Sequence, residues 1–223
     1  MRIDIITIFP EFYPNLLDHS IIKAALIKKA LDVNVINLRD FSHNKHKKVD
    51  DTIYGGGAGM LIQFPPLYDA INALRSNNTT IVYLSPQGHV YNQETAIKLA
   101  KLEHLVLICG HYEGVDARIL DFVDLEISIG DYILTGGEIA SMVIIDSISR
   151  LLPGVIDNES VLTDSLSDGL LKYPQFTKPA EYKGYKVPDI LLSGDHEKIR
   201  KYRLEQKLKN TITKRPDLIK NKQ

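Results

Sequence analysis

The sequence predicts an α/β fold built around a mostly parallel sheet. The class is indicated by short apolar runs that alternate with segments of helical periodicity through about residue 152. The 223-residue chain also has an ordinary globular composition, 44% hydrophobic and 25% charged. Strand-helix-strand repetition is typical of parallel sheets. A chain of this length buries roughly 70% of its unfolded surface, so we expect one large domain, alone or with a small one.

The predicted elements follow one another in a regular order. The runs that indicate strands are IDIITIF, VNVINL, TIVYLS, HLVLICG and LEISIG, and those with helical patterns are HSIIKAALIKKAL, PPLYDAINALRS, QETAIKLAKL, DARILDFV and EIASMVIIDSISRLL. After LLPGV the periodicity is lost for about 15 residues rich in Asp, Ser and Asn, and a basic, amphipathic helix follows at DHEKIRKYRLEQKLKNT. This pattern predicts a linker and a small second domain.

Charge is distributed unevenly although the formal net charge is −1. From His196 onward ten Lys and Arg residues face three acidic ones, whereas residues 157–169 hold four acidic residues and no Lys or Arg. The positive tail favours a polyanionic partner, although a solvated helix face would explain it as well.

The sequence also indicates the compartment. No run approaches the roughly 18 apolar residues of a membrane span, and MRIDIITIFPEF lacks the basic start and cleavage site of a signal peptide. The single cysteine, Cys109, can form no internal disulfide and belongs to no zinc-binding pattern. We therefore expect a cytoplasmic protein without a membrane span.

Three turns follow predicted strands and combine glycine or proline with polar groups. They are PQG (86–88), GHYEG (110–114) and DYILTGGE (131–138). Because ligands of open parallel sheets bind outside the carboxyl ends of the strands, these turns predict a pocket. By itself, the pair Gly136-Gly137 more often marks an ordinary turn.

Other motifs exclude two common nucleotide sites. A dinucleotide fold requires GxGxxG after the first strand, where Phe9-Pro10-Glu11 stands, and the sequence contains no Gly-Lys-Ser/Thr for a P-loop. The cluster YGGGAGM (54–60) fits neither spacing and indicates a flexible surface loop. His43 and His46, near Asp50 and Asp51, could bind a metal, but histidines on a polar loop are more often solvated, so we predict no metal site there.

A series of motifs then resembles one family over nearly the whole chain. They are IFPEF, RDFSHNKHKKVDDTIYGGGAGM, YLSPQG, CGHYEGVDAR, SIGDYILTGGE, IDSISRLLPGV, DSLSDGLL, YPQFTKP, VPDILLSGDHEKIRKYR and KRPDL. In number, order and spacing they closely resemble the bacterial tRNA (guanine-N1)-methyltransferases of the SPOUT superfamily. The chain departs from the family at Ala58 and Ala140, where members often have proline, and at His111, where many have arginine.

The resemblance implies an architecture and an activity. It implies a knotted α/β domain at 1–156 with a deep C-terminal trefoil knot, a flexible linker at 157–172 and a small helical, basic, tRNA-binding domain at 173–223. The implied reaction transfers a methyl group from S-adenosylmethionine to N1 of guanosine 37, 3′ of the anticodon in tRNA, which prevents frameshifting. The family works as a homodimer with active sites at the subunit interface.

The resemblance also assigns roles to individual residues. Asp164 matches the general base that removes the N1 proton, and Arg150 matches the arginine that stabilises charge on the guanine carbonyl. Asp50, Gly57 and Gly59 match substrate-binding positions. Magnesium dependence, reported in the family, stays open here. The implied cofactor contacts are Ser85, Pro86, Gly110, Tyr112, Glu113, Ser128, Ile129, Gly130, Asp131, Tyr132, Ile133, Leu134, Gly136 and Gly137.

Two other functions compete with this one. A knotted methyltransferase acting on a ribose 2′-hydroxyl would share the cofactor loops, but the Asp164 linker and YGGGAGM argue against it. A non-enzymatic RNA-binding protein could retain the fold alone, but the intact loops and both catalytic candidates argue against that. Binding of S-adenosylmethionine would distinguish the RNA-binding protein from the two enzymes.

Overall fold

Five parallel strands form the central sheet of the protein. The computed structural model describes residues 1–157 and 163–220, and the chain divides into two compact units, Met1–Ile156 and Asp157–Gln223. The strands, numbered along the chain, are β1 (Arg2–Thr7), β2 (Asp32–Asn37), β3 (Asp50–Thr52), β4 (Met60–Ile62), β5 (Thr79–Val90), β6 (His104–Cys109), β7 (Leu125–Ser128), β8 (Glu181–Tyr182) and β9 (Tyr185–Lys186).

The central sheet has the order β2-β1-β6-β5-β7, and each neighbouring pair is parallel. This confirms the predicted parallel α/β fold, because each of the five predicted strands contributes to it. The helices are α1 (Pro14–Leu17), α2 (Ser20–Ile27), α3 (Phe64–Leu74), α4 (Gln93–Leu99), α5 (Glu138–Ser149), α6 (Asp189–Leu192), α7 (His196–Lys214) and α8 (Asp217–Lys220).

The core of the first unit lies on both faces of the sheet. Successive strand residues point to opposite faces, so Leu105 and Leu107 of β6 pack on one side and Val106 and Ile108 on the other. The first side packs against α2 and α5, and the second against α3. Strands covered on both faces read as nearly continuous apolar runs, which explains HLVLIC.

Some local structure differs from the sequence pattern. The segment DARILDFV forms a 3-10 helix at Ala117–Phe122 rather than a regular α-helix. The loop YGGGAGM is flanked by an antiparallel pair, β3 and β4, which was not predicted. Strand β5 continues past TIVYLS to Val90, with a register shift against β7 between Leu84 and His89, so that SPQG bulges from the strand.

The second unit contains the hairpin β8–β9 and helices α6 to α8. Helix α7 begins after Asp195, whose side chain accepts a hydrogen bond from the Lys198 backbone N–H at 3.1 Å. Between residues 163 and 220, Thr211 is the one buried residue. Residues 158–162 of the predicted linker and 221–223 of the predicted last domain lie outside the described residues. Within the described ranges, no helix has both the length and the apolar content to cross a bilayer.

Candidate functional site

A cavity of about 380 Å³ lies at the carboxyl ends of β6 and β7 and beside the bulge in β5. Three loops surround it, namely the bulge after Leu84, the turn after Cys109 and the segment between β7 and α5. Its volume falls in the range of small-ligand sites, and its position is the one expected for a parallel sheet. The structure therefore brings the three predicted turns together.

The cavity collects most of the predicted cofactor-binding residues. Asp131 is exposed and lies outside the lining. The other thirteen line the cavity, and they are Ser85, Pro86, Gly110, Tyr112, Glu113, Ser128, Ile129, Gly130, Tyr132, Ile133, Leu134, Gly136 and Gly137.

Eight further lining residues were not assigned from the sequence. They are Tyr83, Leu84, Gln87, His111, Gly114, Ile127, Thr135 and Ala140. Gln87, His111, Gly114 and Thr135 belong to the three turns themselves. The other four lie just outside them, so extending the turns into the strands before them and into the start of α5 would have identified them.

Glycines allow the loops to approach one another closely. A Cβ on Gly137 would lie 2.7 Å from the Cα of Cys109, a backbone atom that cannot move aside. The N–H of Gly137 donates to the carbonyl of Gly110 at 2.9 Å. The pair Gly136-Gly137 therefore allows a close backbone contact between the end of β6 and the start of α5, where any side chain would separate the two segments.

Polar groups beneath the cavity connect α5 to β1. Glu138, in the first turn of α5, is buried, and its Oε1 accepts a hydrogen bond from Thr7 Oγ1 at 2.7 Å. The Thr7 oxygen in turn accepts from the Phe9 backbone N–H at 2.9 Å. A carboxylate at a helix N-terminus is favoured by the helix dipole. This network fixes the start of α5 and with it the glycine turn above.

The cysteine below the cavity is not a nucleophile. Cys109 is 2% exposed, and burial raises the pKa of its thiol to about 12. The Tyr13 hydroxyl contacts its Sγ at 3.4 Å and Ser141 Oγ at 2.8 Å. Because only the thiolate attacks effectively, a protonated, enclosed thiol has a packing role.

The lining of the cavity carries a distinctive charge pattern. Glu113 is its one carboxylate, and none of the lining residues is Lys or Arg. Ile129, Ile133 and Leu134 supply apolar surface, while Ser128 Oγ accepts from the Gly130 N–H at 3.2 Å. The Nδ1 atom of His111 is buried and has no hydrogen-bond partner within the described residues. Such a lining suits a neutral or cationic ligand with apolar parts better than a phosphate.

The predicted substrate-binding residues lie in and around the β3–β4 pair. A Cβ on Gly59 would lie 2.5 Å from Glu113 Cγ, and the Glu113 N–H donates to the Met60 carbonyl at 3.0 Å. Gly59 is thus held against a residue of the cavity lining. Asp50 is buried at the start of β3, and Gly57 is exposed in the loop.

The two predicted catalytic residues belong to different units. Arg150 is exposed and ends α5, with helical backbone angles. Asp164 is half-buried in the second unit, where its Oδ1 lies 3.6 Å from Lys172 Nζ. The Lys172 N–H also donates to Ser165 Oγ at 2.9 Å, so Lys172 contacts the Asp164 segment through both its backbone and its side chain.

The histidines of the polar loop make protein contacts. His43 Nε2 lies 2.7 Å from Asp69 Oδ2, and the backbone N–H of His46 donates to Asn44 Oδ1 at 2.7 Å. Across residues 1–157 and 163–220, no group of three or more His, Cys, Asp or Glu is arranged to hold a metal ion.

Comparison with known proteins gives a consistent match along the chain. A family model described as tRNA (Guanine-1)-methyltransferase TrmD matches residues 1–221. Curated proteins named tRNA (guanine-N(1)-)-methyltransferase are similar over 100% of this chain and 92% of their own length. Among them, the protein from Acholeplasma laidlawii is 56% identical, that from Aster yellows witches'-broom phytoplasma 53%, and that from Halalkalibacterium halodurans 51%.

Proposed function

This chain belongs to the tRNA (guanine-1)-methyltransferase family, and on that premise we propose that it transfers a methyl group from S-adenosylmethionine to N1 of guanosine 37 in tRNA. One structural observation carries the proposal most directly: thirteen of the fourteen positions matched to family cofactor contacts line a single cavity at the carboxyl edge of the sheet. A methyl group on N1 of the base next to the anticodon would serve to prevent frameshifting.

The charge and the apolar surface of the cavity support the proposed cofactor. When bound, S-adenosylmethionine supplies an electrophilic methyl group on a positively charged sulfur. A cavity with one carboxylate and no Lys or Arg accommodates a sulfonium without repulsion, and Glu113 is the residue available to face it. Ile129, Ile133 and Leu134 would enclose the adenine ring, while backbone groups of Gly110 and Tyr112 would bind its polar edge.

Asp164 is proposed as the general base. Guanine N1 carries a proton that must leave as N1 forms its new bond to carbon, and a carboxylate within reach contributes roughly 10²- to 10⁴-fold in rate. Asp164 is half-buried, and its Oδ1 lies 3.6 Å from Lys172 Nζ. The proton passes from N1 to an Asp164 carboxylate oxygen.

Arg150 is proposed to stabilise the charge that deprotonation leaves on the guanine. Loss of the N1 proton shifts negative charge to the O6 carbonyl oxygen, and a guanidinium can donate hydrogen bonds to it. The exposed position of Arg150 at the end of α5 leaves its side chain accessible to a large substrate. Asp50, Gly57 and Gly59 are proposed to bind the target guanine and its 5′ neighbour.

The proposal extends to the architecture and the assembly. We propose that residues 1–156 form a knotted domain that binds the cofactor, 157–172 an interdomain linker and 173–223 a tRNA-binding domain, in a cytoplasmic homodimer whose active sites lie at the subunit interface. Exposed apolar side chains one turn apart on α5 support a partner surface: Ile139 is 48% and Val143 42% exposed. The basic residues of α7 support binding to tRNA phosphates, with an affinity that falls steeply with salt.

Single-turnover methylation of an unmodified leucine or proline tRNA transcript tests the function. The wild-type protein is expected to place the methyl group on N1 of guanosine 37, which blocks the base-pairing edge and stops reverse transcription there. A methyl group on a ribose oxygen would leave that edge free and would support the competing chemistry. The same assay with a metal chelator tests the need for Mg²⁺.

Variants of two nearby aspartates test the general base. Asp164→Ala is expected to slow methyl transfer at least about a hundredfold while binding S-adenosylmethionine normally. Asp168→Ala, four residues further along, is the matched control and should retain most of the rate. Full activity of Asp164→Ala would remove Asp164 from the mechanism and make Glu113 the next candidate. Absence of methyl transfer by the wild-type protein would overturn the proposed function itself.

A further inference from the structure

A second cavity, of about 470 Å³, lies entirely within the second unit. The extended segment 173–178 forms one wall, and Ala180 and Val187, which join the ends of the β8–β9 hairpin through a 2.8 Å hydrogen bond, form another. Leu191 and Leu192 of α6 and Arg203 of α7 complete the lining. None of the residues proposed for methyl transfer contributes to it.

The walls present flat, stacking surfaces. The Arg203 guanidinium lies over the ring of Tyr173, 5.0 Å from its centroid, and Phe176 is 47% exposed. Aromatic rings and arginine planes are the groups on which proteins stack unpaired nucleic-acid bases. Val187 and Leu191 add apolar surface beside them. The cavity is thus suited to a planar ring.

The charge of the lining indicates what the ring is attached to. Its charged members are Lys178 and Arg203, both cations, and no acidic residue lines it. No ion pair joins either one to another described residue. Gln175 and Thr177 supply an amide and a hydroxyl, which can bind the edge of a base. The pattern is the reverse of the first cavity, with its single carboxylate and no cation.

We propose that this cavity binds one unstacked base of the tRNA, other than the methylated guanosine, with the base in contact with both Phe176 and the Arg203–Tyr173 pair and a neighbouring phosphate facing Lys178. The proposal rests on the proposed function, because tRNA enters there as the substrate. It adds a specific base contact to the charge attraction along α7. A base held there would fix the position of the anticodon arm relative to the second unit.

Single abasic positions in the tRNA test this contact. Equilibrium binding of the full-length protein is measured with leucine tRNA transcripts in which one nucleotide of the anticodon arm at a time lacks its base. For the wild-type protein, loss of the base at one position other than 37 should weaken binding about 5- to 150-fold, the range expected for loss of one stacked base. Phe176→Ala should weaken binding of intact tRNA to a similar extent and show no further loss at that position.

Matched variants separate stacking from general charge and from misfolding. Arg203→Gln and Arg200→Gln each remove one cation from α7, but only Arg203→Gln should abolish the sensitivity to that abasic position. Tyr182→Ala, which removes an exposed aromatic ring outside the cavity, should keep the wild-type sensitivity. The slope of binding against salt concentration should be unchanged in Phe176→Ala, because no phosphate contact is lost. Far-UV circular dichroism and S-adenosylmethionine binding check that each variant is folded.

Three outcomes would overturn the proposal. The first is an abasic scan of the wild-type protein without a sensitive position besides 37. The second is a sensitive position that Phe176→Ala and Arg203→Gln leave unchanged. The third is that free guanosine or adenosine monophosphate competes for the cavity as strongly as tRNA does, which would identify a mononucleotide site. Methylation at guanosine 37 without a cavity-dependent position would reject the base contact alone. A cavity-dependent position without methyl transfer would reject the proposed function and leave the base contact in place.

Discussion

Different forces stabilise the interior of each of the two units of this protein. In the first, Ile, Leu and Val side chains on both faces of a five-stranded sheet are removed from water, many of them completely. In the described part of the second, Thr211 is the one buried residue, and the structure depends on hydrogen bonds and ion pairs at the surface. Apolar burial is not weakened by charge screening, whereas surface ion pairs are weakened by salt and by solvent exposure.

This difference matches the work proposed for each unit. A cavity for a small ligand requires loops held in fixed positions, and a sheet buried on both faces provides them. A surface that binds RNA requires exposed cations and aromatic rings, which leave little apolar area for a core. The second unit should therefore open locally at a lower free energy than the first, and the predictions below test that contrast.

The largest effect is expected from a cavity in the core of the first unit. Ile144 of α5 is fully buried between the sheet and α2, so Ile144→Ala should lower the free energy of unfolding by about 2–5 kcal/mol. Urea unfolding followed by circular dichroism measures the loss. The control is Leu204→Ala on α7, where the side chain is 56% exposed, and the expected change is below about 0.5 kcal/mol.

Cys109 provides a separate readout for the first unit. Its thiol is buried and its pKa is raised to about 12 by that burial, so a thiol reagent at pH 8 reacts only when the unit opens. Ile144→Ala should speed the labelling, and Leu204→Ala should leave it unchanged. Equal labelling rates in the two variants would show that the units do not differ as described.

An intermediate effect is expected from the one buried residue of the second unit. Thr211 Oγ1 accepts a hydrogen bond from the Leu171 N–H at 3.0 Å and donates to the Lys207 carbonyl at 2.8 Å. Thr211→Val keeps the shape of the side chain and removes the acceptor, which should cost about 1–3 kcal/mol for the N–H left without a partner. Hydrogen exchange of the Leu171 amide should accelerate accordingly.

Thr213→Val is the matched control for this change, because Thr213 is exposed on the same helix. It should leave exchange at Leu171 unaltered. Cys109 labelling should be the same in both variants, since neither residue belongs to the first unit. Faster labelling in Thr211→Val would mean that the two units unfold together.

The sequence predicted the first unit better than the second for a physical reason. The alternation of apolar strands and helices is set by burial, so five strands in a mostly parallel sheet followed from HLVLIC and similar runs, whereas their order in the sheet did not. The β3–β4 pair was not predicted, because each strand has only three residues and β3, which begins with Asp50 and Asp51, carries no apolar pattern. The contact of Gly137 with Cys109 could not be foreseen either, since it depends on how two distant segments pack.

The roles of Asp164 and Arg150 came from resemblance alone. An aspartate in a polar segment and an arginine at a helix end have no pattern that distinguishes them from solvated residues. The second cavity was also not predicted, because the residues of the β8–β9 hairpin and of α6 separate Arg203 from Tyr173 and Phe176, with no common periodicity. Surface sites of this kind are defined by exposed side chains, and exposure leaves no regular signal in a sequence.

The smallest effect is expected from an ion pair of the second unit. The Asp168 carboxylate pairs with Lys207 and accepts a hydrogen bond from the Leu170 N–H. Burial raises the pKa of Asp168, but Lys207 and this N–H together lower it by more than burial raises it. The pKa therefore lies below its ordinary value. A lowered pKa in the folded state stabilises the fold above the unfolded-state pKa, and the stabilisation is lost as the pH falls through the folded-state pKa.

Asp168→Asn should therefore be less stable than the wild-type protein at pH 7, and the difference should decrease below about pH 4, near the ordinary aspartate pKa. The Asp168 side chain is 53% exposed, so solvent screening limits the difference to less than about 1 kcal/mol, and about 1 M salt should reduce it further. Unfolding measured across pH at low and high salt tests both dependences. Glu205→Gln, which removes an exposed charge that makes no ion pair within the described residues, should show a much weaker dependence on pH. A stability difference for Asp168→Asn that persisted at pH 2 and at high salt would show that packing, rather than charge, holds this segment against α7. The contrast between the two units would then be smaller than the structure indicates.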